Sequence, residues 1–215
     1  MEIIGVIDYG MGNLHSLAKS LERVAGERRI EISSDIERLS KCDRLVLPGV
    51  GGVRGCMDEL KRLELVDFLR TAARRVPLLG VCLGMQVLLD HSEENGGVAA
   101  LGLIPGEVVR FPDPPPEPGT ERLKVPHMGW NRVKQSRPHP LWAGIDDDSW
   151  YYFVHSFYAA PQNAAHTLGE SEYSHNFAAA IARDNIVGVQ FHPEKSQGAG
   201  LRLLANFASW NGEIG

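Results

Sequence analysis

Apolar positions along this chain switch between strand-like and helix-like periods, and each switch marks an element. Glu2-Ile3-Ile4-Gly5-Val6-Ile7-Asp8 is a β-branched run that reads as a strand. It ends at Tyr9-Gly10-Met11-Gly12-Asn13, after which Leu14, Leu17, Ala18, Leu21 and Val24 recur at helical spacing. A second unit runs from Asp43-Arg44-Leu45-Val46-Leu47 through Pro48-Gly49-Val50-Gly51-Gly52. Helical patterning follows through Met57, Leu60 and Leu63, and again through Leu65, Phe68 and Leu69. The third unit pairs the short apolar segment Arg75-Val76-Pro77-Leu78-Leu79 with a predicted helix through Met85-Gln86-Val87-Leu88-Leu89. Strands alternating with helices predict an α/β fold, an open and mostly parallel sheet with helices on both faces.

Beyond Gly106 the pattern changes to extended pieces. Gly106 to Phe111, Leu123 to Val125, Trp150 to Val154, Ala178 to Ala182 and Ile186 to Phe191 read as strands, which predicts antiparallel additions in the C-terminal half. Between them the prolines from Pro112 to Pro118 remove ladder donors and predict a surface loop with no chemistry of its own. A last helix is expected through Leu201, Leu204, Ala205 and Ala208. With no repeat and no linker, residues 1–215 are expected to form a single domain.

Composition narrows the function classes. The formal charge is −5 and the 22 Lys and Arg are scattered, so neither nucleic acid nor an anionic membrane surface is an expected partner. No stretch has the length of a membrane span, and the acidic start does not resemble a signal peptide, which places the protein in the cytoplasm. Cys42, Cys56 and Cys82 are odd in number and lack ligand spacing, so no disulfide framework, metal site or cofactor is expected.

Candidate chemistry centres on Gly80-Val81-Cys82-Leu83-Gly84-Met85-Gln86, a strand-to-helix turn with glycines two residues either side of a cysteine. That spacing is the nucleophile-elbow pattern with sulfur in place of oxygen. A thiol at a helix N-terminus meets unpaired N–H groups that favour the thiolate. A lone cysteine favours a buried structural role, and the flanking glycines on the strand-to-helix turn bring the nucleophile reading of Cys82 level with it. The loop at Tyr9 to Asn13 invites a dinucleotide reading, but His15 occupies the third glycine position of G-x-G-x-x-G. In an open parallel sheet the crevice lies beyond the carboxyl ends of the strands, where Tyr9-Gly10, Pro48-Gly49 and Cys82 all fall. The glycines after Pro48 suit either an ordinary tight turn or a source of backbone N–H groups for an oxyanion. In Phe191-His192-Pro193-Glu194-Lys195-Ser196, residues 192 and 194 point to the same side if the chain is extended. A carboxylate there would hold the tautomer of a histidine base. Acyl transfer through a thioester follows from these three side chains and needs no metal.

The Cys82 and His192-Pro193-Glu194 motifs together resemble those of the class I, triad-type glutamine amidotransferases. Asp8 to Asn13, Pro48 to Gly51, Pro126-His127-Met128-Gly129-Trp130-Asn131 and Phe153-Val154-His155-Ser156 are similar to the glutaminase subunits of imidazole glycerol phosphate synthases within that family. The resemblance implies that glutamine is hydrolysed to glutamate and ammonia, and that ammonia passes to a β/α-barrel cyclase in a heterodimer serving histidine biosynthesis. It implies a triad of Cys82, His192 and Glu194, and oxyanion N–H groups from Val50 and Leu83. Gly51, Gln86, His155, Ser156 and Phe157 would line the glutamine site, and Gly49 would let the oxyanion loop reorient. Met11, Asn13, Trp130, Tyr152 and Lys195 would face the cyclase. Phe157 departs from the tyrosine often found after His-Ser in the family, which removes a hydroxyl contact. Two alternatives stand beside this reading, a paralogous amidotransferase with another acceptor and a catalytically silent regulatory module.

Overall fold

The computed structural model describes residues 1–112 and 124–213. Strands β1 (Ile3–Ile7), β2 (Arg29–Ser33), β3 (Arg44–Leu47) and β4 (Leu78–Val81) form the parallel part of one sheet. They lie in the order β2-β1-β3-β4. Helices α1 (Leu14–Val24), α2 (Ile36–Leu39), α3 (Val53–Arg62) and α4 (Leu65–Ala72) connect them, and α5 (Leu83–Gln86) follows β4. The sheet continues through short β5 (His91–Ser92) and β6 (Val98–Ala99), and β7 (Gly106–Arg110). The rest of it is β8 (His127–Gln135), β9 (Ser149–His155), β10 (Phe157–Pro161), β11 (Thr167–Tyr173), β12 (His175–Arg183) and β13 (Ile186–Val189). Helix α6 (Gln197–Ser209) closes the described chain.

β13 is the joint between the two halves. It runs parallel to β4 and antiparallel to β12, beyond which β10, β7, β5 and β6 extend the sheet. β11 pairs β12 and β8, and β8 pairs β9, all antiparallel. Side chains alternate across the central strands, as the two-residue period requires. Leu45, Leu47 and Leu78 face one core with Met57, Leu60, Leu65 and Leu69 of α3 and α4. Val46, Leu79 and Val81 face a second core with Leu17 and Leu21 of α1 and Leu203, Leu204 and Phe207 of α6. Helices therefore cover both faces, and the carboxyl ends of β1, β3 and β4 open on one edge.

Several expectations need correction. The helix after Cys82 ends at Gln86, because segment 101–104 claims the next carbonyls. Leu101 donates to Val87, Gly102 to Leu89, and both Leu103 and Ile104 to Leu88. The two helical runs expected through Leu63 and from Leu65 are indeed separate helices, parted at Glu64 in the left-handed region at φ 58°. β13 stops at Val189, and although His192 keeps an extended backbone, Pro193–Lys195 form a 3₁₀ turn, so Glu194 is not reached along extended chain. The strand expected at Leu123 to Val125 is absent over Lys124 and Val125, and β8 begins at His127. Leu123, and the expected proline loop beyond Pro112, lie outside the described residues.

Candidate active site

Cys82 joins β4 to α5 with φ 56° and ψ −111°, a left-handed conformation that costs a non-glycine residue of order 1–3 kcal/mol. The turn is over-determined by its hydrogen bonds: Cys82 N–H donates to the Val189 carbonyl at 2.8 Å, and the Cys82 carbonyl accepts from Met85 and Gln86. Both flanking glycines are there for space. A Cβ on Gly80 would lie 2.5 Å from the Gly84 carbonyl oxygen, and one on Gly84 would overlap the Leu47 carbonyl at the end of β3.

The 3₁₀ turn after Phe191 brings His192 Nδ1 within 2.9 Å of Glu194 Oε1, and both side chains are almost fully buried. Ser196 secures that turn, since its hydroxyl donates to the His192 carbonyl at 2.6 Å and accepts from Tyr152 N–H on β9 at 3.0 Å. His192 Nε2 is buried with no hydrogen-bond partner and remains free for a proton from outside the pair. Burial alone disfavours the imidazolium, but Cys82 and Glu194 outweigh it and raise His192 to about 9.

Cys82 and His192 open into a cleft of about 360 Å³ lined also by Val50, Gly51, Leu83, Gln86, His155, Ser156 and Phe157. Of the residues anticipated for substrate, Gly49 alone lies beneath the lining. A Cβ there would sit 2.7 Å from the Tyr9 hydroxyl and 2.8 Å from Leu83 Cβ. Three loops thus meet on one edge, with the Tyr9 hydroxyl donating to the Pro48 carbonyl at 2.8 Å. Leu83 opens α5, where an amide has no intrahelical acceptor, and Val50 is 41% exposed.

The back wall is a polar chain. His155 Nδ1 donates to the Phe157 carbonyl at 2.8 Å, so its Nε2 is the acceptor for His127 Nδ1 at 2.9 Å. The same carbonyl accepts from Gln86 Nε2 at 2.9 Å. Gln86 Nε2 also donates to Gln190 Oε1 at 3.0 Å, and Gln190 Nε2 reaches Cys82 Sγ at 3.9 Å. Burial pushes His127 down to about 4 and His155 to about 3, so both rings are neutral at pH 7.

Glu94, Pro126 and Val154 also line the cleft, and His127 and Gln190 stand behind it. None of the five stood out as a site residue in the sequence. Gln190 carried the clearest signal, a polar residue inside an apolar strand-like run, and it is fully buried. The residues expected at a partner surface fall in two groups. Trp130, Tyr152 and Lys195 cluster, with the two rings 6.0 Å apart and Lys195 Nζ 5.8 Å from the Tyr152 ring. Met11 lies over Gly51 and Gly55, and Asn13 precedes α1.

A model of the family described as glutamine amidotransferase class-I matches residues 5–209, and the chain belongs to that family. It is 55% identical to the imidazole glycerol phosphate synthase subunit HisH of Methylococcus capsulatus, over 98% of this chain and 97% of that relative. The corresponding HisH of Nitrosococcus oceani is 52% identical over 99% of each chain. A crystal structure described as a glutamine amidotransferase shares the fold at a TM-score of 0.71 and 16% identity, covering 96% of this chain and 99% of its own.

Proposed function

We propose that this chain hydrolyses the side-chain amide of glutamine to glutamate and ammonia through a γ-glutamyl thioester on Cys82. It is a glutamine amidotransferase, the glutaminase subunit of an imidazole glycerol phosphate synthase in histidine biosynthesis. The observation that carries the mechanism is the buried His192–Glu194 pair beside Cys82 in one cleft. Glu194 accepts a hydrogen bond from Nδ1–H and so leaves Nε2 to face the sulfur. Cys82 Sγ adds to the amide carbon as its proton passes to His192 Nε2, and the negative oxygen is held by the N–H groups of Val50 and Leu83. Nε2 then gives its proton to the leaving nitrogen, the C–N bond breaks, and ammonia departs. His192 takes a proton from water as that water attacks the thioester, which releases glutamate and returns the thiol. Cys82 and Glu194 both favour the His192 imidazolium once it has taken the thiol proton, the form that donates to the leaving group. Gly51, Gln86, His155, Ser156 and Phe157 hold the substrate in this reading, and the single acid among the lining residues, Glu94, faces its α-ammonium.

The ammonia acceptor is a β/α-barrel cyclase bound as a heterodimer. Support comes from the outer face of the β8–β9 hairpin, where Met128, Trp130 and Trp150 are 67%, 44% and 50% exposed beside Tyr152 and Lys195. Solvent-facing aromatics in one patch suit a protein partner. Met11 and Asn13 extend the contact beside the oxyanion loop, and Gly49 gives that loop its freedom to turn. Residues 1–215 act as one domain, since both cores are built on a single sheet. No helix among the described residues is long and apolar enough to cross a membrane, and free Cys42, Cys56 and Cys82 suit the reducing cytoplasm.

The test is glutamate release by the purified chain with and without the cyclase and its nucleotide substrate. Release should rise with the partner, and an unchanged rate would refute coupling. Cys82→Ala should abolish glutamine-dependent synthesis and leave ammonia-dependent synthesis by the complex intact. Retained glutaminase activity in that variant would refute the nucleophile.

A further inference from the structure

The loop that carries the Val50 amide is pinned at both ends by side chains from elsewhere. At its start the Tyr9 hydroxyl holds the Pro48 carbonyl. At its end α3 begins without a cap of its own: position 52 is glycine, and the first turn contains no acid. Glu94 supplies the missing cap from a distant turn, its Oε2 accepting the Val53 N–H at 2.7 Å. A carboxylate there also meets the positive end of the helix dipole. Gly52 has an ordinary φ of −109°, so what glycine provides there is space: a Cβ would meet the Glu94 carboxylate, the movable end of a side chain, and push it aside. A second tie joins the Glu94 turn to the same end of α3, where the Arg54 guanidinium donates to the Asn95 and Gly97 carbonyls at 3.0 and 3.1 Å. Between the two pins, Gly49 to Gly52 include the exposed Val50 and a left-handed Gly51 at φ 91°.

We propose that Glu94 is a positioning residue for the oxyanion loop, and that its carboxylate links substrate binding to the placement of the Val50 amide. One carboxylate serves two donors, the Val53 N–H and a cation arriving in the cleft that Glu94 lines. When the α-ammonium of glutamine draws on that charge, the anchor of the loop responds. The inference rests on the glutaminase reading, in which that ammonium enters this cleft.

Steady-state kinetics of the full complex with its cyclase separate the two loads. Glu94→Gln keeps an oxygen acceptor for Val53 and removes the charge, so KM for glutamine should rise about tenfold while kcat stays within about threefold. Glu94→Ala removes both, so kcat should fall a further tenfold or more, approaching the loss of an oxyanion donor. Gly52→Ala displaces the carboxylate but retains its charge. It should lower kcat in the native background and add nothing in the Glu94→Ala background, because the clash is then gone. Equal kcat for Glu94→Gln and Glu94→Ala, or additive effects of Gly52→Ala and Glu94→Ala, would overturn the proposal. A lowered melting temperature with kcat intact would reduce Glu94 to a structural cap and overturn it as well. Absence of glutaminase activity in the unsubstituted complex would instead remove the reading on which the proposal rests.

Discussion

Replacing His127 with glutamine should recover about 2 kcal/mol of the stability that this chain loses between pH 7 and pH 5. His127 and His155 are buried neutral, stacked among Phe153, Tyr173 and Phe111, and joined by a single N–H···N bond. Their values in the folded chain, about 4 and about 3, lie below the ordinary 6.5. A depressed folded value means that stability is complete above about 6.5 and is lost as pH falls toward the folded values, since the unfolded chain binds protons first. At about 1.4 kcal/mol per pH unit, each ring costs roughly 2 kcal/mol on going from pH 7 to pH 5. His139, buried and lowered to about 4, adds a similar loss. His192 works in the opposite sense, because its folded value of about 9 lies above 6.5. Its contribution is full below 6.5 and fades as pH rises through 9, so acidification returns under about 1 kcal/mol. In His127→Gln the amide N–H still donates to His155 Nε2, and one titrating ring is gone. Guanidinium unfolding of both proteins at pH 7 and pH 5 measures the difference. An equal pH dependence in the two would refute the neutral-pair argument.

Two further substitutions probe the elbow and the pair. Glu194→Gln removes the carboxylate charge that stabilises the His192 imidazolium and lets an amide N–H face Nδ1, which favours the wrong tautomer, so kcat for glutamine hydrolysis should fall about a thousandfold while KM changes little; kcat within threefold of native would refute the role of the pair. Gly84→Ala forces a methyl into the Leu47 carbonyl, and with backbone on both sides it should cost about 3 kcal/mol in denaturant unfolding. An unchanged midpoint would show that β3 and α5 have room to part.

The parts of the molecule legible in the sequence are those whose signal is local. β1, β3 and β4 are apolar runs ending in glycine loops, and that pattern alone places Tyr9, Pro48 and Cys82 on one edge. The chemistry of Cys82 is written in glycines that the structure explains by close backbone approach. β2 escaped notice because Arg29 and Glu31 alternate with Ile30 and Ile32 at the sheet edge, too short and too charged to stand out. Glu94, His127 and Gln190 escaped for another reason: each acts on a neighbour far along the chain, Val53, His155 and Cys82 respectively. Neither spacing nor hydropathy encodes a partner 28 to 108 residues away. The end of α5 is hidden in the sequence because apolar content continues past Gln86, while the competing donors at 101–104 meet it only when the chain folds back.

The β8–β9 hairpin imposes a rule on length as well as on identity. In its register His127 lies opposite His155, and Met128 opposite Val154. Successive residues point to opposite faces, so the ring that braces the cleft and the side chain offered to the partner are sequence neighbours. Removing one residue between His127 and Asn131 would turn Met128 inward and carry His127 out to the docking surface, exchanging the two duties at once. Homologous variation in this hairpin should therefore be confined to substitutions. A chimera that exchanges it between relatives has to take residues 127–155 as one block, with both cuts outside the paired strands.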